Sequence, residues 1–211
     1  PLYSSAASDV YKRQAEGRSP DAYKLSKQAD FLMTFYNLGE KEVTHLIQTL
    51  GYRVPEDYFR TNFDYYIRRT SHGSTLSRLV HARLAWNLGD RETGWGLYLD
   101  ALRSDLVDIQ GGTTGEGIHC GVMAGTAVDV MMTYAGLDVS GDFPALQPGL
   151  PDTWTSLAFG FLFRGVRYQV AISGKKVTIS CHGDNKNEIK VDICGTTYML
   201  IEDKPETFTI P

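Results

Sequence analysis

The hydrophobic pattern of the chain changes near residues 144–151, and this change constrains the fold more than any other feature. Before it, apolar residues such as Leu25, Leu32 and Tyr36 recur at spacings of three, four or their sums, which is typical of one helix face. After it, apolar and polar residues alternate from residue 157 onward, which is typical of strands. Because the helices precede the strands instead of alternating with them, we predict two domains and no parallel βαβ sheet.

Glycine, proline and capping residues divide the first region into helices. The segments are 19–37, 41–50, a helix opened by Pro55, 75–87, a helix capped by Asp90 that runs to about residue 106, and 118–134. Short connections imply antiparallel neighbours in an α/α array. In the fifth predicted helix, which Asp90 caps, Trp95, Leu99 and Leu102 lie on one face. The second region predicts an antiparallel β-domain of five or six strands.

Charge and cysteine content narrow the function classes. The chain carries 21 basic and 25 acidic side chains, a net charge of −4, which argues against a general nucleic-acid binder because such proteins need a basic face. No stretch of about 18 apolar residues exists, so no membrane helix is predicted. The three cysteines include no close pair and suit neither a disulfide framework nor a zinc motif, and we therefore expect a cytoplasmic setting.

The first fourteen residues fit neither a helix nor a strand. They lack the charged and apolar regions of a signal peptide, and they resemble translated sequencing-adapter sequence at the end of a reading frame. We therefore interpret residues 1–14 as a non-native segment, with a native flexible arm as the alternative. Residues 15–143 are then a helical domain and residues 144–211 the β-domain.

Two polar segments lie on or beside predicted helices. Lys27, Gln28 and Asp30 are neighbouring polar groups that could bond sugar hydroxyls, although charged residues on a helix are more often a solvated face. Residues 70–77 place hydroxyls around Gly73 just before a helix, whose first N–H groups and positive dipole end could cradle an anion. A plain helix cap would leave a similar pattern, and the glycine and lysine spacing of a P-loop is absent.

A third segment is a loop with five glycines within residues 108–121 that leads into the last long helix. A loop of this kind is costly to order and is usually functional or disordered. Glu116 could act as a general acid or base, or it could simply complement the helix dipole. His119 could bind an anion or carry a proton, or it could be a structural side chain.

Four motifs in order resemble the C-terminal third of glycoside hydrolase family 65. They are KQAD at 27–30, SHGSTLS at 71–77, GGTTGEGIH at 111–119 and LPDTW at 150–154, and the resemblance covers about residues 19–211. It implies the C-terminal part of an (α/α)6 barrel followed by a small antiparallel β-domain. It also implies an inverting phosphorylase that cleaves an α-linked glucose disaccharide with inorganic phosphate and releases β-glucose 1-phosphate.

The resemblance assigns roles to five residues. Lys27 and Gln28 match the pair that binds the glucosyl unit, and Ser74, Thr75 and His119 match the phosphate-binding residues. Phosphate would replace the base-activated water of an inverting hydrolase, so no metal or organic cofactor is expected, only phosphate as co-substrate. The expected partners are the disaccharide and phosphate, with a homodimer for the full-length protein.

The general acid of the family is a glutamate about a hundred residues before the Lys-Gln pair, and Glu116 comes too late to match it. We therefore expect this chain to be a fragment that is inactive by itself. An inverting hydrolase of the trehalase or kojibiose hydrolase type stays open, with Glu116 as its candidate base. A non-enzymatic interpretation, in which the β-domain is a carbohydrate-binding or interaction module, is the third alternative.

Overall fold

The computed structural model describes residues 15–17, 26, 28–109, 114–183 and 188–211. Its longer elements follow the predicted order of helices first and strands second. The helices are α1 (Met33–Thr49), α2 (Tyr58–Ile67), α3 (Thr75–Asn87), α4 (Arg91–Arg103) and α5 (Cys120–Asp129), the last continued by a π-helical segment, Val130–Tyr134. The strands are β1 (Leu137–Asp138), β2 (Ala145–Leu146), β3 (Ser156–Phe163), β4 (Val166–Ser173), β5 (Lys176–His182), β6 (Ile189–Ile193), β7 (Thr196–Leu200) and β8 (Glu206–Thr209).

The start of α1 corrects the predicted helix over residues 19–37. Residues 28–32 form turns, and the helix begins at Met33; residues 18–25 and 27 lie outside the described part of the chain. The backbone of Ser26 is paired with residues 69 and 71, and its Oγ donates to the carbonyl of Gln28, so this stretch cannot continue a helix. Gly39 has a φ of 78° and breaks the helical backbone within α1. This break lies close to residue 37, where the first predicted helix was expected to end.

The helical unit has an aromatic core. The rings of Phe35 and Phe59 stack with their centroids 4.9 Å apart, which joins α1 to α2. Val80 and Leu84 contribute the buried face of α3 to the same cluster. The remaining fully buried members are Ala29, Leu32, Val43, Phe63 and Ala85.

The buried face of α4 differs from the predicted one. Asp90 caps the helix as predicted, because its Oδ1 accepts a hydrogen bond from the Thr93 N–H at 3.1 Å. The buried residues are Gly94, Tyr98 and Ala101, and Leu102 of the predicted face is exposed. A Cβ on Gly94 would lie 3.0 Å from the Ala82 carbonyl oxygen, so small residues bring α4 close to α3 and determine which face is buried.

The C-terminal unit contains two four-stranded sheets. One has the order β3–β4–β5–β8 and is antiparallel throughout; the other has the order β1–β2–β6–β7 and includes one parallel pair, β2 with β6. The structure thus has eight strands where five or six were predicted, and the two short strands β1 and β2 precede the region in which strands were expected. Alternate residues of β4 are buried as the sequence pattern predicts, and they pack with the apolar side chains of β5 and β6.

Contacts divide the chain into two compact units, Pro1–Thr126 and Ala127–Pro211. The division falls earlier than residue 144 because Met131, Met132 and Ala135 of the helical stretch pack with the β-sheet core. The predicted fold class, helices followed by a small, mostly antiparallel β-domain, is confirmed. Among the described residues, no helix has both the length and the apolar character required to cross a bilayer.

Candidate functional site

Gln28 lies in the turn that precedes α1. Its side chain is half-buried, and its Nε2 donates a hydrogen bond to Oδ1 of Asp30 at 2.7 Å. The Ser26 hydroxyl donates to the Gln28 carbonyl at 2.6 Å and fixes the turn. Lys27 lies outside the described residues, so its assignment to the sugar site stays a prediction.

A backbone bridge holds this turn beside the hydroxyl-rich segment. The Ser26 N–H donates to the Arg69 carbonyl, and the Ser71 N–H donates to the Ser26 carbonyl, each at 2.9 Å. A cavity of about 20 Å³, roughly the space that one water molecule needs, lies between the turn and the start of α3. It is lined by Gln28, Ala29, Asp30, Met33, Leu76, Ser77 and Val80. Two of the predicted segments, KQAD and SHGSTLS, are therefore neighbours.

Ser74 and Thr75 begin α3. Ser74 is the N-cap in an extended conformation, with φ −141° and ψ 138°, and its hydroxyl makes no capping hydrogen bond. Its carbonyl accepts from the Ser77 N–H at 3.1 Å. Thr75 is buried, whereas Ser74 is half-buried, so Ser74 is the more accessible of the two hydroxyls. The N–H groups of this first turn form the positive end of the helix dipole, which is a suitable place for an anion.

Two histidines contact Ser77: His72 lies within the hydroxyl-rich segment, and His81 lies on α3. His72 Nδ1 is 3.0 Å from the Ser77 hydroxyl, and His81 Nδ1 is 2.8 Å from the Ser77 carbonyl, to which it must donate. The two rings meet edge-on with centroids 4.9 Å apart. Burial, together with nearby His81 and Arg78, lowers the pKa of His72 to about 4, and burial also lowers the pKa of His81. Both rings are therefore neutral at pH 7.

Arg78 is a cation near the N-terminus of α3 that the sequence analysis did not single out. Its Nε lies 3.6 Å from Oδ2 of Asp100 on α4, and its Nη2 donates to the Ile109 carbonyl at 3.3 Å. A basic residue near a helix N-terminus opposes the usual preference for acidic side chains there. That mismatch is the sequence signal by which Arg78 could have been found.

His119 is held by an acidic residue that the sequence analysis also missed. Oδ2 of Asp105 accepts from the His119 backbone N–H at 2.8 Å, and Oδ1 lies 2.6 Å from His119 Nδ1. The hydrogen bond from His119 is the main cause that lowers the pKa of Asp105. Asp105 follows α4 and His119 precedes α5, with the glycine-rich loop between them, so no helical or strand spacing relates the two in the sequence.

The rest of the glycine-rich loop is described only in part. Residues 110–113 lie outside the described chain, and Glu116 ends a single 3₁₀ turn, Thr114–Glu116. The role of Glu116 as a candidate base and the proximity of His119 to Ser74 stay predictions.

A helical unit followed by a small β-domain, with a polar turn at the N-terminus of α3, agrees with the α/α catalytic domain and C-terminal β-domain that the resemblance implies. The sequence profile of the glycosyl hydrolase family 65 central catalytic domain matches residues 3–128, and that of the family's C-terminal domain matches residues 137–200. The chain belongs to glycoside hydrolase family 65. The first match includes most of residues 1–14, whose interpretation as non-native stays a prediction.

Two relatives and one solved structure are similar to most of the chain. It is 41% identical over 186 residues to the trehalose 6-phosphate phosphorylase of Lactococcus lactis, covering 86% of this chain and 24% of that protein. It is 26% identical to the alpha,alpha-trehalose phosphorylase of Geobacillus stearothermophilus, covering 89% and 22%. A human-microbiome structure provisionally described as a kojibiose phosphorylase has 25% identity and a TM-score of 0.69, covering 88% and 25%. The chain spans about a quarter of the length of these proteins.

Proposed function

We propose that the full-length protein that carries this chain is an inverting disaccharide phosphorylase. It would cleave an α-linked glucose disaccharide with inorganic phosphate and release β-glucose 1-phosphate. The observation that carries the proposal is the backbone bridge at Ser26, which holds the Gln28 turn against the hydroxyl-rich start of α3. The proposed group for sugar hydroxyls and the proposed anion site would thus be adjacent, as direct phosphorolysis requires.

The residues present would share the two tasks. Lys27 and Gln28 would bind the glucosyl unit, while Ser74, Thr75 and His119 would bind and orient phosphate. The N–H groups at the start of α3 favour a dianion there. Because the oriented phosphate is the nucleophile in a single inverting displacement, we propose that the reaction needs no metal or organic cofactor.

The relatives indicate which disaccharides to test. Of the proteins compared above, the Lactococcus lactis enzyme has the highest identity, and its name states that it acts on trehalose 6-phosphate. We therefore propose a phosphorylated disaccharide as the first substrate to assay, followed by trehalose and kojibiose. Phosphorolysis of trehalose 6-phosphate would yield glucose 1-phosphate and glucose 6-phosphate. The two products should therefore form in equal amounts, which can be measured.

The experiment measures disaccharide cleavage by the full-length protein with and without inorganic phosphate. We expect cleavage to depend on phosphate and to release one β-glucose 1-phosphate per disaccharide. A rate that is independent of phosphate, with free glucose as the product, would instead establish the hydrolase alternative, in which Glu116 is the candidate base. The 211-residue chain serves as the comparison, and we propose that it is inactive because the acid of the family is expected outside it.

Three further properties belong to this proposal. The full-length protein would be cytoplasmic, would form a homodimer and would have neither nucleic acid nor membrane as a partner. The net charge of −4 supports the exclusion of nucleic acid, since phosphate backbones require basic surfaces.

A further inference from the structure

One carboxylate binds two groups of the same histidine. Asp105 accepts hydrogen bonds from the backbone N–H and from Nδ1 of His119, through its two oxygens separately. The Asp105 side chain is only 8% exposed and that of His119 is 25% exposed. Two bonds to one rigid group fix both the position of the residue and the rotation of its ring.

The contact also determines where the ring carries its proton. An ionised carboxylate accepts hydrogen bonds and donates none, so Nδ1 of His119 must carry a hydrogen. Any contact of the ring with a phosphate oxygen would then be made by Nε2. For Nε2 to donate to a phosphate oxygen while Nδ1 donates to Asp105, the ring must be the imidazolium cation.

We infer that Asp105 is a positioning residue for phosphate, which acts through His119 by fixing its ring with Nδ1–H toward the carboxylate and Nε2 free to face the ligand. This inference rests on the proposed function and extends it to a residue outside the four motifs. It follows the general arrangement in which a carboxylate orients a histidine whose second nitrogen meets the ligand.

The variant Asp105→Asn in the full-length protein tests the inference. An asparagine has one acceptor oxygen, and its NH₂ group would force Nδ1 to become an acceptor, so that Nε2–H would donate from a neutral ring. Because a charge-assisted hydrogen bond is roughly twice as strong as a neutral one, we expect the KM for phosphate to rise about fivefold to tenfold. The KM for the disaccharide should change by less than about twofold, since the sugar contacts are untouched.

A matched control removes a charge elsewhere. Asp142→Asn alters a carboxylate that is 92% exposed in the C-terminal unit, and it should leave both KM values unchanged. A double-mutant cycle with His119→Gln then separates an indirect role from a direct one. If Asp105 acts through His119, adding Asp105→Asn to His119→Gln should raise the phosphate KM no further; a fully additive increase would overturn the inference.

Asp105→Glu guards against a folding defect in the first variant. It keeps the charge and both acceptor oxygens on a longer arm, so its phosphate KM should lie between those of the wild type and His119→Gln. An unchanged phosphate KM in a folded Asp105→Asn protein overturns the inference. Cleavage that does not depend on phosphate in the wild type would instead contradict the proposed function itself, so the two failures are distinguishable.

Discussion

The backbone of His72 adopts a φ of 50°, a left-handed conformation that is uncommon for residues other than glycine. This conformation places the ring against Ser77 and beside His81, immediately before the turn proposed to bind phosphate. The ring is neutral at pH 7 because burial, together with nearby His81 and Arg78, disfavours its charged form. A neutral ring can order the Ser77 hydroxyl without adding another charge beside Arg78.

This depressed pKa predicts how stability depends on pH. The pKa of His72 is about 4 in the folded chain against an ordinary value of 6.5, so the unfolded chain binds more protons between these values. Stability should therefore fall as the pH is lowered from about 6.5 to about 4, by roughly 1–2 kcal/mol from this residue once solvent screening of its partly exposed ring is allowed for. Urea unfolding of the chain across this range should show a weaker pH dependence for His72→Asn, because asparagine does not titrate. Asparagine also tolerates the left-handed backbone, so the fold should be kept.

The control for that measurement is His45→Gln, since His45 is an exposed residue of α1. Its replacement should leave the pH dependence as it is in the wild type. Equal slopes for the wild type and His72→Asn between pH 4 and 6.5 would show that His72 is not held neutral by the fold.

Single residues of the site were predictable only where they stood in a motif. Gln28 and Ser74 could be named because their neighbours form recognisable segments, and the structure brings those segments together. Asp105 could not be named, because a long glycine-rich loop separates it from His119 and hides the contact. Arg78 left a weaker signal, a cation at the wrong end of a helix dipole.

At the scale of elements, two glycines of α4 provide a matched pair of substitutions. A Cβ on Gly94 would lie 3.0 Å from backbone atoms of α3, whereas a Cβ on Gly96 would meet nothing within 4 Å. We expect Gly94→Ala to destabilise the chain by about 1–3 kcal/mol through overpacking. Gly96→Ala should instead stabilise it by about 0.5–1 kcal/mol, because alanine loses less backbone entropy in a helix.

Thermal or urea unfolding of the two variants beside the wild type measures the change in the free energy of unfolding for each, which we expect to be of opposite sign. Stabilisation by Gly94→Ala would mean that α3 and α4 are not in close contact in solution. Gly96→Ala reports the intrinsic helix preference alone, so it separates that contribution from packing.

Elements were predictable where local signals agreed and unpredictable where a tertiary contact decided. The predicted bounds of α3 match the structure because Ser74 and Gly89 delimit it on both sides. Residues 28–32 were predicted as helix from apolar spacing, but the backbone pairing of Ser26 makes them turns. Periodicity reports that a segment can be amphipathic, and it carries no information on bonds to a distant strand or turn.

At the scale of the whole molecule, the C-terminal unit has its own hydrophobic core. Val177, Ile179 and Val191 are fully buried within it, and both sheets contribute to the same cluster. We therefore expect residues 127–211, produced alone, to fold cooperatively. A dispersed NMR spectrum and a single urea transition would confirm this expectation.

The control for the isolated unit is Val191→Asp, which places an unpaired charge in that core and should abolish the transition. Absence of a cooperative transition in the unsubstituted residues 127–211 would mean that the β-domain depends on the helical unit for its fold. The switch from helical to alternating periodicity predicted the second unit, but not its start within the helical stretch.

The bridge at Ser26 has a consequence for how such a site can diverge. Its two hydrogen bonds use only main-chain atoms, so they persist whichever side chains occupy residues 26 to 30 and 69 to 75, proline excepted. Substitution can therefore change what each half of the site recognises while the distance between the halves stays constant. A lineage could therefore change, one substitution at a time, which sugar or which nucleophile the proposed site accepts. In every intermediate protein the two halves of the proposed site would still be adjacent.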